Sequence, residues 1–138
     1  MKKFEILPHT ADVRLKVTGN SLEELFSAAL EGMNKIIKND HENGSQSHEY
    51  TEKIKIDSAD ESMLIIDFLS EVLTLSHKNK VLYYIRGFNM LKNNELEIII
   101  EGNKADGFDE DIKAVTYTEA EIIKNNLNEF ETIIVFDI

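Results

Sequence analysis

Apolar residues recur at helical spacing in only two stretches of this chain, and elsewhere they alternate or cluster as strands do. That pattern restricts the fold to two helices that share their apolar faces with a set of strands. Gly19-Asn20-Ser21 announces the first helix, with Ser21 able to cap it and Glu24, three residues on, able to complete a capping box. Leu22, Leu25, Phe26, Ala29, Met33 and Ile36 form its core stripe, and Glu23, Glu24 and Glu31 fall towards solvent. The second helix is predicted from near Ser58-Ala59-Asp60-Glu61 to about His77, where Leu64, Ile65, Phe68, Leu69, Val72 and Leu73 make a broader, heavily buried face. Between them NDHENGSQSHEYT has no period and reads as a loop. Lys53 to Asp57 alternates, Val81 to Met90 and Leu96 to Ile100 flank a Lys92-Asn93-Asn94 turn, and Ile133 to Phe136 is a closing strand. Ile112 to Ile123 is β-branched enough for one long or two short strands. The order strand, strand, helix, strand, helix, then strands predicts an α+β fold: one domain over residues 1–138, two helices on a mainly antiparallel or mixed sheet.

Composition limits the function. With 42% apolar residues the chain can bury a core, which argues against wholesale disorder. Fifteen basic side chains against 26 acidic ones leave a formal charge of −11, a field that repels phosphate backbones and attracts cations or basic partners. The absence of cysteine removes thiolate catalysis, disulfides, Cys-ligated zinc and iron–sulfur clusters. No stretch reaches the roughly 20 apolar residues of a membrane span, and the N-terminus lacks a continuous apolar core, so a cytoplasmic location with no membrane partner is expected.

Nucleophile elbows, P-loops, dinucleotide fingerprints and zinc-protease motifs are missing, which lowers the expectation of an enzyme. His41 and His48 fall in the polar loop and His77 at a helix end, where exposure is the plain expectation. Pro8-His9-Thr10-Ala11-Asp12-Val13 gathers an imidazole, a hydroxyl and a carboxylate at the mouth of an apolar strand, though an ordinary turn would use the same residues. Asp106, Asp109, Glu110 and Asp111 do not match an EF-hand order and read as a solvated loop. Asp137-Ile138 brings a side-chain carboxylate and an α-carboxylate within two residues. If the last strand lies beside the one opening at Asp12, three anionic groups meet at one sheet end and call for a cation, with Mg²⁺ or Ca²⁺ suited to the all-oxygen set.

HTADV at 9–13, LIIDFLSEVL at 64–73, IKAVTY at 112–117 and the closing FDI, in this order, resemble the archease family over nearly the whole chain. The resemblance implies a compact α+β domain of strand-helix-strand-strand topology. It also implies an accessory protein, not an enzyme, for an RtcB-type GTP-dependent RNA ligase in tRNA splicing or RNA repair, with RNA and GTP met only through the ligase. Carried over residue by residue, the family's metal ligands fall on Asp12, Asp137 and the terminal carboxylate of Ile138. Lys113 matches a family lysine with a role towards the ligase, and His9 and Asp67 match positions that could orient a ligand or contact a partner. Thr118 stands where the family commonly has His, and Asn103 where it has Glu. Two other readings of the same residues are a metal-dependent phosphoester hydrolase and a structural protein-interaction domain.

Overall fold

Val13, Leu15 and Val17 alternate with Arg14 and Lys16, and the first three are buried while the latter two reach towards solvent, which makes β2 (Val13–Gly19) the inner strand of a sheet. The structure, a computed structural model, describes residues 2–8, 12–38 and 49–138. On one side β2 pairs with β1 (Lys3–Leu7) and on the other with β8 (Phe130–Asp137). Two short strands, β6 (Ala114–Thr116) and β7 (Ile123–Lys124), follow one another along β8 and complete a five-stranded sheet. The second sheet has three strands in the order β3 (Tyr50–Asp57), β5 (Glu95–Lys104), β4 (Val81–Lys92). Among the described residues every strand pairing is antiparallel, so the mixed alternative falls away, and the strands divide between two sheets.

Helices α1 (Leu22–Ile37) and α2 (Glu61–Asn79) each touch both sheets. Gly32 of α1 faces Leu15 so closely that a Cβ there would lie 2.5 Å from Leu15 Cδ2. From the same helix, the buried Asn34 donates through Nδ2 to the Tyr83 carbonyl of β4 at 2.8 Å. Phe26 and Phe68 join the two helices, their ring centroids 5.7 Å apart. Burial on both sides explains why the apolar faces read so wide in the sequence. With α2 between β3 and the β4–β5 hairpin, the chain contains the expected strand-helix-strand-strand unit.

Local signals hold with small shifts. Ser21 caps α1 by accepting the Glu24 N–H at 3.1 Å, and Glu24 accepts the N–H of Asn20 at 2.9 Å, so the reciprocal bond closes one residue earlier than a standard box. Within the expected start, Asp60 caps α2 by accepting the Met63 N–H at 2.8 Å, and the helix runs past His77 to Asn79. The β4–β5 turn carries Asn93 and Asn94 at φ 54° and 62°, left-handed values that asparagine tolerates in a two-residue hairpin loop. Tyr50 and Thr51, read with the loop, already belong to β3, and 112–123 resolves into the two short strands. His41 and His48 lie outside the described residues. His77 is half-buried in the last turn of α2 instead of exposed, its Nε2 shielded and 3.8 Å from Asp111 Oδ1.

Candidate functional site

The register of β2 against β8 decides which chemistry-bearing residues meet. Val13 is opposite Phe136, so Asp12 and Asp137 both emerge at the same end of the sheet, and both are exposed. β6 brings a third group there. Ala114 is opposite Asp137, and the Lys113 N–H donates to the Asp137 carbonyl at 2.7 Å, with the lysine side chain in solvent. Ile138 packs its half-buried side chain against the core, which holds the last residue at this end. Asp12, Lys113, Asp137 and Ile138 are thus neighbours, although they come from three separate parts of the sequence.

The donor set suits a hard cation: two carboxylates and the main-chain oxygens of Ile138, all oxygen, at an exposed edge where water can fill further positions. Among the described residues no three Asp, Glu or His side chains converge as ion ligands. His9 lies outside the described residues. Two clefts of about 530 and 670 Å³ lie elsewhere, one beside Lys3, Lys16 and Leu127, the other beside His77, Lys80 and Phe108.

Asp67 is not at this end. Its Oδ2 accepts from Ser58 Oγ at 2.6 Å and its Oδ1 from the hydroxyl of Tyr117 at 2.5 Å. Tyr117 follows β6 at the end away from Lys113, and four residues of extended chain separate the two by about 13 Å. The bond to Asp67 and, secondarily, burial raise the Tyr117 phenol above its ordinary pKa, because ionisation would set two anions side by side. The sequence reading missed Ser58 and Tyr117 as partners of Asp67; the tyrosine of the IKAVTY segment was the available signal.

Around Tyr117 the chain is fastened on several sides. Arg14 grips Glu119 through two parallel bonds of 2.8 and 2.9 Å, which raise the arginine and lower the glutamate from their ordinary pKa values. Ser62 Oγ at the start of α2 accepts the Ile122 N–H at 3.0 Å. Thr118 bonds Thr116 at 3.1 Å, so the residue at the commonly histidine position serves its own turn. Asn103 accepts the Glu49 N–H at 3.0 Å in the other sheet, and its departure does not touch the cation end. Asp106, Asp109 and Asp111 are exposed in the loop before β6, as expected, and Asp109 and Glu110 anchor it by donating to the Ile37 carbonyl at the end of α1.

Comparison with known proteins places the chain by family and by fold. Residues 4–138 match the family model described as Archease protein family (MTH1598/TM1083). The chain is 33% identical over 132 residues to the protein archease of Methanosarcina acetivorans, covering 89% of this chain and 88% of that one. It is 29% identical over 133 residues to that of Pyrococcus abyssi, covering 90% of each. In fold it is similar to the solution structure of protein 1598 of Methanobacterium thermoautotrophicum, with a TM-score of 0.76 at 22% identity over 98% of both chains. The crystal structure of a Thermotoga maritima archease, described as a possible chaperone, gives a TM-score of 0.61 at 23% identity, covering 97% of this chain and 96% of that one. With the motifs at 9–13, 64–73, 112–117 and 136–138 in their order and a match over almost its whole length, this chain belongs to the archease family.

Proposed function

We propose that this archease activates an RtcB-type GTP-dependent RNA ligase, promoting guanylylation of the ligase and its repeated turnover in tRNA splicing or RNA repair, and performs no ligation itself. The observation that carries the reading is the β2–β8–β6 register, which sets Asp12, Asp137 and Lys113 side by side on an exposed sheet end. In this reading Asp12, Asp137 and the main-chain oxygens of Ile138 hold one divalent cation, Ca²⁺ or Mg²⁺. Such a cation supplies positive charge and open coordination positions at the surface, where a group of the ligase or its nucleotide can join. Lys113, its backbone held to Asp137, adds a positive side chain beside the acidic pair. The net charge of −11 supports contact with RNA through the ligase and not directly. His9 and Asp67 then serve orientation and partner contact.

The test is ligation of RNA ends with limiting ligase and GTP, with and without this protein. The expected result is a rise in turnovers per ligase that Asp12→Ala abolishes. Unchanged turnover with a cognate ligase would refute the reading, and phosphoester cleavage by this protein alone, lost in Asp12→Ala, would favour the hydrolase.

A further inference from the structure

A second surface feature lies away from the cation end, where the first half of α2 meets the chain between β6 and β7. Tyr117 is 54% exposed although its hydroxyl is clamped by Asp67, and Asp67 is itself held on its other oxygen by Ser58. What the tyrosine offers solvent is therefore its ring, held in one orientation with its polar atom already satisfied. Met63, 39% exposed, stands one helical turn before Asp67 on the same face of α2. Ile123, 47% exposed, follows the residue whose N–H is tied to Ser62. These are three of the five large apolar side chains exposed among the described residues. All three stand on backbone fixed by helix, sheet or side-chain bonds, so little ordering would be needed on binding.

The charge around them selects the occupant. Asp60 at the N-cap of α2, Glu71 on α2 and Glu121 in the connection are exposed, Asp67 sits at the Tyr117 hydroxyl, Arg14 is already gripped by Glu119, and Lys124, next to Ile123, is placed over the Phe130 ring at 4.1 Å. A nucleic acid is repelled by such a rim, whereas a peptide segment carrying Arg or Lys beside an apolar anchor meets complementary charge and an aromatic face on which a guanidinium can stack.

We infer that Tyr117, Met63 and Ile123 form a docking patch for a basic, apolar-anchored segment of the ligase, separate from the cation end. This deepens the activator reading and rests on it: the patch supplies affinity, while Asp12, Asp137 and Lys113 act on the ligase's chemistry. Asp67 is a positioning residue that keeps the ring presented.

The experiment measures binding of purified ligase to the full chain by calorimetry at low and high salt, beside turnover and cation affinity. Tyr117→Ala is expected to weaken ligase binding by about tenfold to thirtyfold, the range of an interface anchor, with cation affinity unchanged. Met63→Ser should weaken it less, Tyr117→Phe should retain most of it through the ring, and Glu71→Lys should weaken it and flatten its salt dependence. Asp12→Ala should bind ligase at nearly wild-type strength and fail to activate. Circular dichroism confirms that each variant is folded; if Tyr117→Ala is not, Met63→Ser and Glu71→Lys carry the test. Ligase binding unaltered by the patch variants, while the wild-type protein binds and activates, overturns the patch alone. A wild-type protein that neither binds nor activates a cognate ligase overturns the activator reading and the patch with it.

Discussion

Asp12→Ala separates a site built for stability from one built for coordination. Directly opposed Cα atoms in an antiparallel pair lie about 4.5–5.5 Å apart, and Asp12 and Asp137 sit one residue beyond the couple Val13 and Phe136. Their carboxylates are therefore separated by roughly 6 Å, and at an exposed edge with water-like dielectric the repulsion is about 0.7 kcal/mol, less in salt. Unfolding a domain of 138 residues at about 2.1 cal/mol/K per residue makes 1 kcal/mol equivalent to about 3 °C in Tm. Without divalent cation, Asp12→Ala should thus melt within about 3 °C of the wild type, on the higher side. A cation at one hundred times its Kd stabilises the folded state by about 2.7 kcal/mol, so the wild-type Tm should rise by roughly 9 °C while the variant hardly moves. Thermal unfolding by circular dichroism, in chelator and then in CaCl₂ or MgCl₂, reads both numbers. A variant that loses more than about 6 °C in chelator, or rises with cation as the wild type does, would refute the assignment.

Lys113→Ala should lower ligase turnover while leaving cation affinity near its original value, because the lysine contributes a contact and not a ligand; a matched loss of cation affinity in calorimetry would contradict this. A tag fused after Ile138 crowds its main-chain oxygens and should weaken cation binding relative to an N-terminal tag, and equal affinities would remove Ile138 from the ligand set. Gly102→Ala should destabilise the three-stranded sheet by about 3 kcal/mol or more, since the new Cβ would lie 2.0 Å from the Leu82 carbonyl oxygen, a backbone atom that can retreat only by parting β4 from β5; urea denaturation checks it. At acid pH, Glu24 and Glu119 are held below their ordinary pKa of 4.5 by the Asn20 N–H and by Arg14 respectively. Their stabilisation is full above that value and lost as pH falls through the lowered folded pKa, so a Glu24→Gln, Glu119→Gln variant should show a shallower loss of Tm between pH 5 and 3 than the wild type.

The sequence by itself determined the elements whose causes are local. Ser21 and Glu24 mark the start of α1 because a cap and its reciprocal carboxylate act within four residues, and Asn93-Asn94 marks the hairpin because few other residues accept positive φ twice in succession. Both helices were legible from their stripes, and Asp12, Lys113, Asp137 and Ile138 could be named as candidates from the family motifs they stand in. What only the tertiary structure decided is adjacency. Period-two alternation tells which side chains share a face but not which strand lies beside which, since any apolar strand can pair with any other until packing selects one arrangement. For that reason the division into two sheets around α1 and α2, and the β2–β8–β6 order that joins residues 12, 113 and 137, appear only in three dimensions. The same holds for Asp67, which the helical period assigns to a polar face; its partners, Ser58 and Tyr117, are 9 and 50 residues away, and no local rule connects them.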